Sequence, residues 1–219
     1  RPTKTQEELE MTRTHTTKTR LFATGIAAAL AVVAMMIAPA LGAAAPVKFG
    51  SKLDPTVQPS NSLPGLGCGE GVSGPCTFVQ QEAYGRPDGG ELAPKTGTIK
   101  KIRLIAGGPG SFKLQIAKVK RSTLFGTNEA KVVFNGPRIS YQGQTEANFE
   151  SDSYKVETFN VDVPVKKGQQ LALKGNITSM VRCSSGGDNT LIYSPPLGSS
   201  FRPATNTDGC WILMEAVIR

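Results

Sequence analysis

A short segment with the sequence VRCSSGGDNTLIYSPPL (residues 181–197) holds many of the side chains that could do chemistry. Ser184 and Ser185 precede two glycines, which is similar to the turn around a catalytic serine. The only histidine in the chain is His15, near the N-terminus, and the rest of the chain holds no imidazole. Ser-His-Asp catalysis, Cys-His catalysis and histidine-ligated zinc all need that group. The sequence therefore excludes these three chemistries downstream and favours a turn for this segment.

Three oxygen-bearing residues of this region are candidate calcium ligands. Asp188 and Asn189 lie in the segment GGDN, and Asp208 lies in NTDG. Carboxylate and carbonyl oxygens are calcium ligands, and these three would meet if a disulfide joined their loops. Turn chemistry explains the same residues, because Asp and Asn side chains bind the backbone of turns. Both interpretations stay open, and calcium is the one cofactor that we consider.

Enzymes that use carboxylates alone, such as glycoside hydrolases, need no histidine. Two of five acidic residues would then supply the catalytic pair: Glu82, Glu91, Glu146, Glu150 and Asp152. Their spacing does not predict which two face each other across a cleft. A carboxylate-only hydrolase is therefore the alternative to a non-catalytic binding module, and a purely structural envelope protein is a third hypothesis.

Aromatic side chains are the usual platform for sugar rings, and this chain has few of them. Tyr141, Tyr154 and Tyr193 are the ones we expect at a ligand-binding surface, although each equally suits a strand with its hydroxyl in water. Trp211 follows Cys210 directly, and we predict that it packs against the disulfide inside the core.

All four cysteines lie downstream of the apolar N-terminal run, which is typical of oxidised pairs in an extracytoplasmic protein. Cys68 and Cys76 flank a glycine-rich loop whose ends meet easily. We therefore prefer the local pairing, in which Cys183 bonds Cys210, over the two crossed pairings. Zinc ribbons carry close C-x-x-C pairs, and this spacing does not match them.

The N-terminus has the pattern of an export signal. We interpret residues 1–10 as an upstream extension and 11–43 as a signal peptide, with an apolar run at 21–38 and cleavage after Ala40 or Ala43. Eighteen apolar residues are also just enough for an uncleaved membrane anchor, which would be the only membrane contact. The sequence predicts a secreted or wall-associated protein.

Downstream of this signal the chain keeps 20 basic and 14 acidic residues, a net charge of about +6. This charge favours contact with polyanions such as cell-wall polymers or acidic glycans. The basic runs IKKIR (99–103) and KVKRS (118–122) suit either a solvated strand face or an acidic-glycan site. A nucleic-acid binder would interleave basic and aromatic residues, so we expect no nucleic acid partner.

Residues 44–66 contain several prolines and little apolar periodicity, which predicts a Pro-rich linker or a strap on the domain. Residues 67–219 have the length of a single domain. Alternating apolar residues and Gly/Pro turns there predict an all-β antiparallel sandwich of about eight to ten strands, with a jelly-roll-like arrangement.

Three features of this domain are specific enough to test. Alternation before and after KKGQ predicts a hairpin over residues 154–177, with Gly168 in a left-handed turn. Val119 breaks the alternation of the preceding strand, which a bulge near Ala117–Lys118 would repair. The terminal run CWILMEAVIR predicts a buried strand in the middle of a sheet, next to the hairpin.

The segments TFNVDVPVKKGQQLALKGN, CSSGGDNTLIYSPPL and GCWILMEAVIR resemble a group of uncharacterised secreted β-sandwich proteins of high-GC Gram-positive bacteria. The resemblance includes a first strand with TFVQ (77–80) and a hairpin with PV..G..LAL (164–173), and it covers residues 67–219. It implies an exported single domain with this fold. The group has no known activity, so the resemblance implies no site residues.

Overall fold

The computed structural model describes residues 45–59, 66–69, 72, 74–121, 128–183 and 187–219. The predicted upstream extension and signal peptide, as well as Ser184 and Ser185, lie outside the described residues. In the described part of the chain, no helix has the length and apolarity needed to cross a membrane.

Almost all of the regular structure is β-strand, which confirms the all-β prediction. One five-residue helix, α1 (Glu146–Glu150), interrupts the strands within the described residues. Nine of the strands have four or more residues, in agreement with the eight to ten expected. The strands are β1 (Val47–Gly50), β2 (Leu66–Gly67), β3 (Cys76–Gln80), β4 (Gly97–Leu104), β5 (Gly110–Arg121), β6 (Asn128–Tyr141), β7 (Glu157–Val165), β8 (Gln170–Gly175), β9 (Ile177–Thr178), β10 (Val181–Cys183), β11 (Thr190–Tyr193), β12 (Arg202–Pro203), β13 (Asn206–Asp208), β14 (Cys210–Ile212) and β15 (Met214–Ile218).

The two main sheets have the strand order of a jelly roll. The four-stranded sheet runs β1-β15-β4-β7, and the seven-stranded sheet contains β6-β5-β8-β3 in its centre. If the eight strands β1, β3–β8 and β15 are numbered in chain order, the two sheets read 1-8-3-6 and 2-7-4-5. This is the double-sheet jelly-roll arrangement, and all its named strand pairs are antiparallel.

The main core fills the space between these sheets. Ile99 and Val163 from the four-stranded sheet belong to the same buried cluster as Phe78, Leu114 and Leu173 from the seven-stranded one. Each of these alternates with a residue on the opposite face of its strand, as the period of two requires. Burial of this apolar surface is the main stabilising contribution to the domain.

The prediction of a linker at residues 44–66 is wrong for its first part. Strand β1 pairs with β15 through the register Val47 to Ile218, and the Phe49 ring is buried in the core. Ser51 donates a hydrogen bond of 2.6 Å to the carbonyl of Ile212. The prolines that suggested a linker all lie after β1 or at its start, so they do not interrupt its pairing.

The predicted hairpin over residues 154–177 is also wrong. Strand β7 pairs with β4 in the four-stranded sheet, whereas β8 pairs with β5 and β3 in the seven-stranded one. The KKGQ turn does form, since Gln169 donates to the Lys166 carbonyl and Gly168 has φ +79°. Its function is to carry the chain from one sheet to the other, which alternation alone does not reveal.

Two other expectations have clearer outcomes. Strand β15 is buried along its whole length and lies mid-sheet as predicted, but between β1 and β4 rather than beside β7 and β8. The register between β5 and β6 shifts between Ile116 and Ala117, close to the predicted bulge. Val119 needs no such repair, because it packs on the other face of β5 with a second apolar cluster.

The segment between β8 and β15 adds strands to the jelly roll. Strand β11 extends the seven-stranded sheet beyond β3, β13 forms the edge beside β11, and β12 forms the opposite edge beside β6. Only Ala204 and Thr205 separate β12 from β13 in the sequence. The two edges of this sheet must therefore approach each other, and the sheet curls into a half-barrel.

Candidate functional site

The candidate site lies on the outer face of the seven-stranded sheet, the face that points away from the four-stranded sheet. Antiparallel partners share a face, so the strand register defines rows of side chains across this surface. One row contains Val79, Ala172 and Leu191, which belong to the second apolar cluster. Leu197, from the segment that joins β11 to β12, packs on the same cluster and covers the middle of the face.

Next to this cover lies a row of three cations, which we name the basic row: Arg138 on β6, Lys113 on β5 and Lys174 on β8. Lys113 is directly opposite Arg138 in one strand pair and directly opposite Lys174 in the other. Neighbouring strands are about 5 Å apart, so the three side chains leave the sheet close together. None of the ion pairs among the described residues involves a member of the row.

The basic row borders an open concavity of about 570 Å³. Its other lining residues are Pro75, Ser111, Gly175 and Asn176. Arg138 donates a hydrogen bond of 3.1 Å to the Ser111 hydroxyl, which orients the guanidinium along the wall. Lys113 and Arg138 are exposed and Lys174 is half-buried, so the cations are available to a ligand from solvent.

A buried chain of hydrogen bonds supports the floor beside the basic row. The Leu197 amide donates to the Thr77 hydroxyl, which donates to the Gln115 amide oxygen at 3.0 Å. The Gln115 amide nitrogen donates in turn to the Asn135 side chain at 2.7 Å. Because Thr77 and Gln115 are almost fully buried, this chain links β3 to β5 and β6, the two strands that carry Lys113 and Arg138.

The opposite end of the outer face is acidic. Lys113 and Val119 are six residues apart on β5, so roughly 20 Å separate the two ends. A cavity of about 460 Å³, the acidic pocket, is lined there by two carboxylates, three amide side chains and adjoining backbone: Asp88, Glu91, Gln81, Asn128, Gln170, Gly89, Leu92, Val119 and Gly168. The outer face thus has three cations at one end and two carboxylates at the other.

The structure places two of the five hydrolase candidates together. Glu82 and Glu91 line one cavity of about 320 Å³, which shares residues with the acidic pocket. Glu146 and Glu150 lie on α1, and Asp152 follows it; all three are exposed and line none of the described cavities. Of the five, Glu82 and Glu91 are the pair that lines one of these cavities.

The predicted calcium ligands each have a partner within the protein. Asp188 accepts a hydrogen bond of 2.6 Å from the Thr207 hydroxyl, and Asp208 accepts one of 2.8 Å from the Cys210 amide. Asn189 is buried, and its side-chain nitrogen donates to the Gly209 carbonyl at 2.6 Å. These contacts are those of turn residues, and they agree with the alternative interpretation of the sequence.

The three predicted ligand-binding tyrosines are buried, which contradicts their placement at a surface. Tyr141, Tyr154 and Tyr193 are 3%, 2% and 0% exposed. Burial is also the main reason that the pKa of the Tyr193 phenol is raised, and desolvation followed by the Asp152 hydrogen bond raises the pKa of Tyr154. These rings are not available for stacking on sugars.

Trp211 was predicted to pack inside the core, and this prediction is wrong because its side chain is only half-buried. Its ring contacts the Tyr84 ring edge-on, with 5.5 Å between centroids. The Arg182 guanidinium lies 5.1 Å from the centroid of Tyr84. Cys210 and Ile212 on either side of Trp211 point inward, so strand alternation turns the indole outward.

Three residues of the basic runs found in the sequence have acidic partners. Lys100 forms an ion pair with Asp162, and Arg103 forms one with the buried Glu215. Lys120 lies 4.0 Å from Glu129. Lys101 and Lys118 are exposed to solvent. Of the two interpretations of these runs, the solvated strand face is therefore favoured over the acidic-glycan site. The basic row was missed because its members are far apart in the chain and meet only through strand register.

The cysteines form the two local disulfides, Cys68–Cys76 and Cys183–Cys210. Within the described residues, the one cluster of three or more Cys, His or acidic ligand atoms consists of Cys183, Asp208 and Cys210. Both sulfur atoms of this cluster belong to a disulfide, so they are not thiolates that could bind a metal.

Comparison with known proteins adds no identification: no family model, no curated protein and no solved structure matches this chain.

Proposed function

We propose that this protein is a secreted, non-catalytic binding module of the cell envelope that holds an acidic glycan or wall polymer on its basic row. The observation that carries the proposal is the set Arg138, Lys113 and Lys174 on three adjacent strands. Within the described residues these cations have no acidic partner, so an external anion would supply the missing charge.

The form of the surface favours a polymer. Three cations in a line across the strands match a linear chain with a negative charge in each repeat, and the concavity beside them is open to solvent. Carboxylate and phosphodiester groups both carry a negative charge on oxygen atoms, and a guanidinium or ammonium group binds to such oxygens. Uronate polymers and polyol phosphates are therefore the two sources that the test must distinguish.

An extracytoplasmic location fits the same proposal. Two disulfides are typical of an oxidising compartment, and the predicted signal peptide would deliver the chain there. The resemblance to secreted β-sandwich proteins is in agreement with this location. Wall polymers are the anions that a protein of net positive charge would meet outside a Gram-positive cell.

The experiment is to titrate the folded chain with an oligogalacturonate, a poly(glycerol phosphate) oligomer and a neutral cello-oligosaccharide by calorimetry. We expect one or both anionic probes to bind and the neutral one not to bind. The variants Lys113→Glu and Lys174→Glu should each weaken binding by about fivefold, and the triple variant with Arg138→Glu by more than about fiftyfold. Binding should also weaken as salt rises.

Lys101→Glu is the matched control, since it makes the same charge change on an exposed residue of the four-stranded sheet. If Lys101→Glu and Lys113→Glu lose the same affinity for the anionic probe, the net charge of the protein alone explains binding. That result would contradict a site at the basic row. Failure of both anionic probes and of isolated cell walls to bind would contradict the binding function itself and leave the structural-protein hypothesis.

A carboxylate-only hydrolase is the second candidate, favoured by the shared cavity of Glu82 and Glu91. Its test is the release of reducing sugar from isolated walls and uronate polymers, with Glu82→Gln as the variant. Release by the wild-type chain that disappears in Glu82→Gln would replace the binding proposal with a catalytic one.

A further inference from the structure

The concavity beside the basic row offers hydrogen-bond donors and positive charge, but no ring on which a sugar could stack. Among the described residues that line it, none is aromatic and none is acidic. Its polar side chains are the three cations together with Ser111 and Asn176. Guanidinium and ammonium groups only donate, so this lining suits the oxygen atoms of an anion better than sugar hydroxyl groups, which also need acceptors.

Uronate polymers and polyol phosphates differ in what they offer to such a lining. Each uronate ring carries free hydroxyl groups beside its carboxylate, and a hydroxyl that loses water without finding an acceptor costs binding free energy. A phosphodiester has two free oxygen atoms that share one negative charge, and it has no donor of its own. Cations alone can therefore satisfy a phosphodiester.

The spacing of the cations favours a flexible polymer. Lys113 is directly opposite both Arg138 and Lys174, so the three side chains leave one face of the sheet at intervals of about 5 Å. Successive rings of a uronate polymer are rotated about the chain, which turns neighbouring carboxylates away from a common face. A polyol link contains several rotatable single bonds, so consecutive phosphates can face the same side.

The basic row has one open end and one closed end. At Arg138, β6 lies at the sheet edge, because its other neighbour among the described strands, β12, pairs only with the first residues of β6. At the other end, Lys174 is opposite the buried Thr77, whose hydroxyl accepts a hydrogen bond from the Leu197 amide. The segment with Leu197 therefore ends the row, which leaves space for three consecutive charges.

The wall of the concavity is held in place before a ligand binds. Gly175 is opposite Cys76, and Cys76 forms a disulfide with Cys68. Pro75 directly precedes Cys76, so this covalent link also restrains the other side of the wall. A site that needs little rearrangement loses less conformational entropy on binding.

We propose that the basic row binds a linear phosphodiester polymer of a polyol and contacts three consecutive phosphate groups. This inference rests on the proposed function, because it names the anion that the same site holds. Arg138 can donate two parallel hydrogen bonds to the free oxygens of one phosphate, and Lys113 and Lys174 each place a compact positive charge beside one of the others. Ser111 accepts a hydrogen bond from Arg138 and orients its guanidinium.

The test is calorimetric titration of the full folded chain with glycerol phosphate oligomers of increasing length and with galacturonate oligomers of the same charge. We expect the phosphate trimer to bind at least about fivefold more tightly than the galacturonate trimer. Affinity should increase about threefold or more with each phosphate up to the third, and by less than about twofold with each further one. An increase that continues unchanged beyond the third phosphate would contradict the three-phosphate site.

Lys118→Glu is the matched control for Lys113→Glu, because Lys118 is an exposed residue of the same strand that lies beyond the register shift and forms no ion pair among the described residues. Lys113→Glu should weaken binding of the phosphate trimer by about fivefold or more, and Lys118→Glu by less than about twofold. Equal losses for the two variants would overturn the placement of the polymer on the basic row.

The two probes separate this inference from the proposed function. If the galacturonate trimer binds as tightly as the phosphate trimer or more tightly, the phosphodiester assignment is overturned, and the proposed function stands. If neither trimer binds, both are overturned.

Discussion

At Glu215 the chain buries a carboxylate among three cations. Arg86 and Arg103 each donate to it at 2.5 Å, and the Lys48 ammonium lies 3.4 Å away. The cations come from the loop after β3, from β4 and from β1, so one side chain of β15 links three separate parts of the fold. The Arg86 loop continues into the turns that carry Asp88 and Glu91, so this ion pair also anchors that loop to β15.

Replacement of Glu215 by Gln should lower the free energy of unfolding by about 1–3 kcal/mol, because it leaves two arginines without their counter-charge. The lower part of that range applies if water screens the arginines, which are about a quarter exposed. Urea unfolding measures the change. Asp162→Asn, which removes an exposed partner of Lys100, is the control and should change stability by less than about 0.5 kcal/mol; equal effects of the two variants would contradict the role of Glu215.

The phenol of Tyr193 should give the stability of the domain an alkaline limit. Burial raises the pKa of this group in the folded chain, so the unfolded chain loses its proton first. Stability is then fully present below pH about 10, the ordinary pKa of tyrosine, and decreases as the pH rises above it. Tyr193→Phe should have a shallower decrease in unfolding free energy between about pH 9.5 and 11.5; parallel curves for the two proteins would contradict this assignment.

At the scale of elements, the sequence predicts strands better than it predicts their partners. Period-two alternation located β7 and β8, and Gly168 located the turn between them. The sheet to which each strand belongs depends on contacts with β4 and β5, which are distant in the sequence. The same limit applies to β1, which pairs with the last strand of the chain and therefore carries no local signal of its partner.

The two disulfides should stabilise the domain unequally. Cys183–Cys210 spans 27 residues and Cys68–Cys76 spans 8. Loop-closure entropy predicts that the double variant Cys183→Ser, Cys210→Ser loses about 3.5 kcal/mol of unfolding free energy. The double variant Cys68→Ser, Cys76→Ser should lose about 2.5 kcal/mol. Unfolding in guanidinium measures the unfolding free energy of each double variant. A larger loss of this free energy on removal of Cys68–Cys76, which closes the shorter loop, would contradict the entropic account.

At the scale of the whole molecule, the proposed glycan site depends on one curled sheet. The basic row and the acidic pocket lie at opposite ends of its outer face, and the segment with Leu197 covers the apolar middle. The sequence favoured an anionic partner through net charge, and it named Glu82 and Glu91 among five candidate acids without selecting a pair. It could not indicate Lys113, Lys174 and Arg138, because only the registers of β5 with β6 and β8 bring them together.

The central claim is that an acidic polymer binds at the basic row, and nuclear magnetic resonance tests it most directly. The backbone amide shifts of the nitrogen-15-labelled chain would be followed during titration with an oligogalacturonate or a poly(glycerol phosphate) oligomer. The account predicts that the largest shifts lie around Lys113, Arg138 and Lys174 and disappear in the triple Glu variant. Shifts that instead cluster on the four-stranded sheet or around Tyr84 and Trp211, or no shifts with either probe, would contradict it.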